Sequence, residues 1–107
     1  MAFIMVYITN ESEAEAQRIS HIRLEKRLIA CANLFPSQSA YWWQGGIQQE
    51  SEWVCLVKTM PEYWDNLRDE VLRQHRYTTP CILKIAVEAN FAYEDWIRGC
   101  LMLDTGC

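Results

Sequence analysis

The 107-residue sequence lacks any apolar run close to the ~20 residues that a membrane-spanning helix needs. Its first apolar stretch, residues 1–8, follows no basic residue and leads to no small-residue cleavage site, so we expect a strand and not a signal peptide. With only four glycines, three prolines and 50% hydrophobic residues, disordered and low-complexity classes are disfavoured. The length predicts one domain spanning residues 1–107.

Positive charge is also scarce. Ten Lys and Arg residues stand against fourteen Asp and Glu residues, which gives a formal net charge of -4. Because nucleic-acid affinity comes mainly from Lys and Arg displacing counterions, a broad nucleic-acid surface is disfavoured. The sequence contains no P-loop, G-x-S-x-G, H-E-x-x-H or G-x-G-x-x-G motif, and no nucleophile, base and orienting group appear together. We therefore expect a protein that is not an enzyme and that binds neither nucleic acid nor a membrane.

The cysteines form no C-x-x-C pair. They are five in number and spread along the chain, at Cys31, Cys55, Cys81, Cys100 and Cys107. An odd count without paired spacing disfavours both a disulfide framework and a zinc knuckle. We expect reduced thiols in a cytoplasmic protein.

Hydrophobic patterning predicts four strands and three helices. The strands cover residues 3–9, 31–43, 47–58 and 81–87, and the helices cover about 12–29, the stretch that follows the Thr59 cap to about residue 75, and about 91–102. Asn10, Thr59 and Asn90 are the expected helix caps. This order is the split βαβ of a ferredoxin-like α+β sandwich, with an antiparallel sheet, a long hairpin of its second and third strands and a C-terminal helix.

The predicted hairpin is rich in aromatic residues. Its strands are longer than the usual ~5 to 6 residues, and we place Tyr41, Trp42, Trp43 and Trp53 on its distal part, where they have no core of their own. Exposed aromatic patches usually mark an interface. We predict that the hairpin pairs with neighbouring subunits and that Trp96 of the last helix joins this interface.

Five local motifs stand out in order along the chain: Ala30-Cys31-Ala32-Asn33, the run from Ser39 to Gly45, Lys58-Thr59, the run from His75 to Pro80, and the run from Tyr93 to Ile97. Taken together, with their spacing, they resemble the CutA divalent-cation-tolerance family over essentially the whole chain. The resemblance implies a ferredoxin-like subunit in a tight homotrimer, with long hairpins extending between subunits, an architecture shared with the PII signalling proteins. It also implies a link to copper and other divalent metals.

Two residues depart from the pattern of that family. Arg76 stands where the family commonly has Pro, and Cys81 stands where it commonly has Glu after Pro80. A thiol in place of a hard oxygen ligand would favour Cu(I) or Zn(II) over harder cations. The same change removes a carboxylate, which would alter any activity that depends on it.

His75 and Cys81 are the leading candidates for metal ligands, because they lie six residues apart across a predicted turn and His is a common ligand. Cys31 is a further candidate. Structural explanations exist for all three: an imidazole is favoured at a helix C-terminus, and free cysteines are commonly buried in cores.

Lys58 ends an apolar half-strand, where it would either anchor an anion at a subunit boundary or extend to solvent. We place Lys58, Tyr41 and Tyr77 in one pocket. The leading hypothesis is a trimeric divalent-cation response protein that binds copper or another divalent metal ion. The alternatives are a PII-like signalling protein that binds a small anionic ligand between subunits, with an unidentified partner protein reading its state, and a structural trimer without a specific ligand.

Overall fold

The fold is known from a computed structural model that describes residues 3–75, 77 and 79–101. In chain order the elements are β1 (Phe3–Asn10), α1 (Glu13–Glu25), β2 (Cys31–Trp43), β3 (Gly46–Thr59), a 3₁₀ turn (Pro61–Tyr63), α2 (Trp64–Gln74), β4 (Ile82–Val87) and α3 (Phe91–Leu101). The four strands form one antiparallel sheet in the order β2-β3-β1-β4. The predicted ferredoxin-like α+β fold is confirmed. None of the described helices is long and apolar enough to cross a bilayer.

Side chains alternate along the strands, so the sheet has two different faces. Ile4, Val6 and Ile8 of β1 point to one face, where they pack with Ala16 of α1 and Leu67 of α2. We call this side the helix-covered face. The alternate residues of β1 point to the opposite side, which we call the open face.

Helix α3 covers one end of the open face. Phe3 is buried there with Ile97 and Leu101. Its ring meets that of Tyr93 edge-on, with 5.9 Å between the ring centroids. These contacts form a second, smaller core cluster and fix the C-terminal helix to the sheet.

The rest of the open face is uncovered within one chain. Phe35, Leu83 and Ile85 are large apolar side chains that are exposed there. Leu83 pairs with Tyr7 and Ile85 with Met5, which places them on the same side of the sheet as these β1 residues. A contiguous exposed apolar surface of this kind is typical of an interaction surface.

The hairpin of β2 and β3 closes with a two-residue turn. Trp43 pairs with Gly46 across it, and the residues between them, Gln44 and Gly45, have φ values of 49° and 79°. Two consecutive positive φ values define the type I′ turn, whose twist suits a hairpin and which Gly at the second position favours. The predicted glycine turn is confirmed.

The predicted caps of the first two helices are wrong. Ser12, not Asn10, caps α1, since its side-chain oxygen accepts a hydrogen bond from the Glu15 N–H at 3.1 Å. Asn10 is the last residue of β1 and donates its side-chain N–H to the Cys55 sulfur. Thr59 likewise ends β3, and its hydroxyl donates across to a backbone carbonyl at residue 28. Strand pairing therefore extends one residue further than local helix-capping signals suggested.

Trp53 is not on the distal part of the hairpin, contrary to expectation. It pairs with Asn10, the last residue of β1, and with Pro36 of β2. Its side chain is half-buried and packs against the main core cluster on the helix-covered face. Trp53 therefore has a core to enter, because β1 reaches further along β3 than the polar start of β3 indicated.

A buried ion pair joins α1 to α2. Arg23 is 0% exposed and donates to Glu70, which is 2% exposed, at 3.3 Å, and Lys26 contacts the other Glu70 oxygen at 2.9 Å. Burial lowers the pKa of Arg23, and the neighbouring Glu70 charge opposes that shift. The two terminal nitrogens of Arg23 have no hydrogen-bond partner among the described residues. Removing Glu70 would therefore leave a buried charge without compensation.

The cysteines agree only in part with the expectation of reduced thiols. Cys31, Cys55 and Cys81 carry free thiols. Cys100 is disulfide-bonded, which differs from the expectation. Cys107 and Arg76 lie outside the described residues.

Candidate functional site

The hairpin and the adjacent end of the sheet enclose a cleft of about 720 Å³, which we call the hairpin cleft. Its size is within the roughly 300 to 1,000 Å³ of small-molecule sites. Tyr7 and Thr9, at the end of β1 on the open face, contribute one side. Tyr77, Thr79 and Cys81, from the segment between α2 and β4, contribute another.

Strand alternation explains how the hairpin supplies the remaining wall. Ser39, Tyr41 and Trp43 are alternate residues of β2, while Glu50 and Glu52 are alternate residues of β3. Ser39 pairs directly with Glu50, so both series lie on one face of the hairpin. This face continues the open face of the sheet, and the cleft forms where the two meet.

The chemistry of the hairpin cleft is aromatic and acidic. Its rings come from Tyr7, Tyr41, Trp42, Trp43 and Tyr77. The carboxylates of Glu50 and Glu52 are its charged groups, and no Lys, Arg or His is among the described residues that line it. The cleft therefore suits a ligand that carries positive charge.

Glu52 is the carboxylate that affects the pKa values of two other groups in the cleft, Tyr77 and Cys81. It is only 8% exposed. Burial, followed by interaction with the Glu52 carboxylate and by the charges of Glu50 and Glu11, raises the pKa of Tyr77 well above its usual range. Burial, followed by the charge of Glu52, also raises the pKa of the Cys81 thiol. Both groups are thus held protonated near a carboxylate.

His75 positions Tyr77 and does not line the cleft. Its Nδ1 accepts a hydrogen bond from the backbone N–H of Tyr77 at 3.1 Å, while its Nε2 contacts the carbonyl oxygen of Thr9. Because a carbonyl only accepts, Nε2 must carry the proton. Neither nitrogen then has a free lone pair for a metal, so the arrangement gives His75 a structural role in place of the predicted ligand role.

Lys58 and Cys31 lie at the other end of the hairpin strands, where they pair with each other. The Lys58 ammonium donates to the side-chain oxygen of Asn33 at 3.1 Å and lies 5.4 Å from the centroid of the Tyr93 ring. Neither Lys58 nor Cys31 lines the hairpin cleft. Of the three predicted pocket residues, the chain brings together Tyr41 and Tyr77 but not Lys58.

The predicted metal ligands do not gather into a complete site within one chain. No three His, Cys, Asp or Glu side chains are suitably grouped anywhere in residues 3–75, 77 and 79–101. Cys81 and Glu52 nevertheless face the same cleft, and the charge of Glu52 acts on the Cys81 thiol. One chain thus offers a thiol and a carboxylate, and further ligands would come from water or from another chain.

The four predicted interface tryptophans lie in three places. Trp42 and Trp43 are exposed at the tip of the hairpin, and Trp53 packs on the core as described above. Trp96 is exposed on α3, where it stacks on Tyr93 with 5.7 Å between ring centroids. Only the hairpin-tip pair therefore contributes to the cleft.

Sequence reasoning did not single out Glu50 and Glu52 as site residues. The usable signal was their two-residue spacing in the polar half of β3, opposite the aromatic residues of β2. In a hairpin with a two-residue turn this spacing places all of them on one face.

Comparison with known proteins identifies the relatives of this chain. Residues 4–100 match the family model described as CutA1 divalent ion tolerance protein. The divalent-cation tolerance protein CutA of Archaeoglobus fulgidus is 46% identical over 93 residues, covering 86% of this chain and 91% of that protein.

The fold has the same relatives. The structure of the periplasmic divalent cation tolerance protein CutA from Archaeoglobus fulgidus superposes with a TM-score of 0.89 at 43% identity, covering 95% of this chain and all of that one. The PII-like protein CutA from Nostoc superposes with a TM-score of 0.86 at 24% identity over 96% of this chain and 99% of that one, which shows a likeness of fold alone.

Proposed function

Because the chain belongs to the CutA family of divalent-cation-tolerance proteins, we propose that it is a homotrimer that responds to divalent cations by binding copper or another divalent metal ion in the hairpin cleft. One observation carries the metal site: the Cys81 thiol and the buried Glu52 carboxylate face the same cleft, with no cationic residue among its described lining.

The ligand types favour a soft or borderline metal. Zinc accepts both thiolate and carboxylate ligands, and copper(I) prefers thiolate. A thiol must lose its proton to bind a metal, so the raised pKa of Cys81 makes metal uptake release a proton and depend on pH. Zinc and copper are therefore the ions to test first.

Assembly would use the surface that one chain leaves uncovered. Phe35, Leu83 and Ile85 on the open face, with Trp42 at the hairpin tip, are exposed large apolar side chains in a single subunit. Burying such side chains contributes roughly 1.5 to 3 kcal/mol each. We further propose that the homotrimer signals to a partner protein and that, as the cysteine pattern predicts, the protein is cytoplasmic.

The alternative of a sensor for a small anion has less support from this cleft. Glu50 and Glu52 would repel an anion there. Lys58, the residue expected to hold the anion, contacts Asn33 at the other end of β3. A structural trimer without a ligand is the third hypothesis, and it predicts that no metal is taken up.

Native mass spectrometry of the reduced protein with added zinc or copper(I) tests the proposal. The change of Cys81 to Ser, or of Glu52 to Gln, should abolish or strongly weaken metal uptake. The matched controls are Cys31→Ser and Glu62→Gln, since each removes the same chemical group outside the cleft. The controls should bind metal like the wild type.

Each outcome of this experiment separates the hypotheses. Metal uptake that survives in both cleft variants would overturn the assigned ligands. A wild-type protein that takes up no metal would overturn the metal proposal and favour the structural trimer. A mass equal to one chain would contradict the homotrimer independently of the metal result.

A further inference from the structure

The hairpin cleft is lined by aromatic rings that a metal site made by Cys81 and Glu52 would not use. Tyr7, Tyr41 and Tyr77 contribute rings from β1, from β2 and from the segment before β4, so they surround the cleft from different sides. Trp43, on the same face of the hairpin as Tyr41, adds the indole ring of the hairpin tip. The faces of Tyr and Trp rings carry negative electrostatic potential and attract cations.

Elsewhere among the described residues, two aromatic rings already have Lys or Arg side chains of the same chain lying over them. Lys84 and Arg68 both lie over the Trp64 ring, at 5.2 and 6.0 Å from its centroid, and Lys58 lies over Tyr93. All three contacts lie outside the cleft. Within the described lining of the cleft, the rings stand beside carboxylates and no cationic side chain is present.

The two carboxylates make the attraction specific for positive charge. Glu52 is more than nine-tenths buried, so its charge acts in surroundings that screen it less than water does. Glu50 lies two residues before it on the same face of the hairpin. Rings and carboxylates together form the chemistry that recognises an organic ammonium ion, with apolar surface for its carbon atoms and negative charge for its nitrogen.

We propose that the hairpin cleft binds a small alkylammonium compound, with its charged nitrogen between the aromatic rings and the Glu52 carboxylate. The cleft volume of about 720 Å³ has room for an organic ligand of this class, which a bare metal ion would not fill. This inference uses the same cleft as the metal proposal and shares Glu52 with it, but its other groups are the aromatic rings and not Cys81. It does not depend on metal binding, and either proposal can fail without the other.

The decisive test compares two ligands of the same shape that differ in charge. Choline carries a quaternary nitrogen, and 3,3-dimethylbutan-1-ol has a neutral carbon atom in its place. Isothermal titration calorimetry of the metal-free protein, in a buffer without amines, measures both affinities, and tryptophan fluorescence reports on the cleft. We expect saturable binding of choline and at least about tenfold weaker binding of the neutral analogue, the ratio that 1.4 kcal/mol produces.

Paired variants locate the binding. Changing Tyr41 to Leu removes a ring from the cleft, while Trp96→Leu removes an exposed ring outside it. Glu52→Gln removes the buried charge, while Glu62→Gln removes an exposed one. The first member of each pair should weaken choline binding by about tenfold or more, and the second should leave it unchanged. Light scattering on every variant checks that the assembly is intact.

The change of Cys81 to Ser distinguishes this proposal from the metal site, since it should remove metal uptake and retain choline binding. Equal affinity for choline and the neutral analogue would overturn the proposal, because the cleft would then be merely apolar. Absence of choline binding would overturn it as well, as would equal effects within either variant pair.

Discussion

The helix-covered face and the open face of the same sheet differ in how many of their apolar side chains are buried, and how many of their charges are paired, within one chain. On the helix-covered face the apolar residues are buried, and even the buried charge of Arg23 has Glu70 beside it. On the open face Leu83 and Ile85 are exposed, and the hairpin encloses a cleft that contains no cation among its described lining residues. The first face determines the fold of the chain, and the second is available for contacts with other molecules.

The largest expected effect is on the helix-covered face. Changing Glu70 to Gln leaves Arg23 buried with its charge uncompensated. The loss of one partner of a buried ion pair costs roughly 3 to 5 kcal/mol of unfolding free energy. Chemical denaturation at a fixed protein concentration measures this loss.

The matched control lies on the same helix. Asp65 contacts Arg68 at 3.3 Å, and both side chains are exposed. Asp65→Asn should therefore cost only about 0 to 1 kcal/mol. Similar losses of unfolding free energy in the two variants would contradict the claim that the buried ion pair contributes more to stability than an exposed one.

An intermediate effect is expected at the turn of the hairpin. Gly45 has a φ of 79°, and a Cβ added there would meet no atom within 4 Å, so Gly45→Ala acts through backbone strain alone. A non-glycine residue in the left-handed region costs roughly 1 to 2 kcal/mol. Denaturation should show a loss of stability of this size.

Gly99 supplies a control in which substitution by alanine is expected to change stability in the opposite direction. It lies within α3, its Cβ position is equally unobstructed, and its φ is not in the left-handed region. Gly99→Ala should stabilise the protein by about 0.5 to 1 kcal/mol, because Ala loses less entropy in a helix. If both alanine variants shift stability in the same direction, the turn geometry assigned to the hairpin is wrong.

The smallest expected effect is on the reactivity of one thiol in the cleft. Burial and the Glu52 charge raise the pKa of Cys81, so less of it is thiolate at a given pH than for an ordinary cysteine with a pKa near ~8.5. Removing the charge in Glu52→Gln lowers this pKa part of the way. Alkylation of Cys81 by iodoacetamide, followed by peptide mass spectrometry against pH, should therefore become faster in the variant.

Cys31 supplies an internal reference for that experiment, because it is a free thiol outside the cleft. Its alkylation rate should be the same in the wild type and in Glu52→Gln. An unchanged Cys81 rate, or an equal change at Cys31, would show that Glu52 does not act on Cys81 through the cleft.

The sequence predicted those features that depend on local patterns. The order of strands and helices follows from hydrophobic periodicity, and the hairpin turn follows from Gly45. The roles of His75 and Lys58 depended on distant partners instead. His75 contacts Thr9, which lies 66 residues earlier, and the place of Lys58 follows from strand register, neither of which a local motif determines.

The predicted ligand set stays a prediction, and the contacts of its members within one chain also depend on distant partners. The spacing of His75 and Cys81 across a turn did not reveal that both imidazole nitrogens already have partners. Glu52 became a site residue only through the pairing of β2 with β3, which places it in the same cleft as Cys81. The sequence shows which side chains carry thiol, carboxylate and imidazole groups. Which of these groups lie together depends on the pairing of the strands in the sheet.

The most direct test of the difference between the two faces uses two leucines of equal exposure. Leu83 of β4 is 51% exposed on the open face, and Leu72 of α2 is 52% exposed in the helix layer. The molar masses of Leu83→Asp and Leu72→Asp are measured by light scattering. We predict that Leu83→Asp dissociates toward the 12.6 kDa single chain and that Leu72→Asp keeps the wild-type assembly. Equal masses for the two variants would contradict the account.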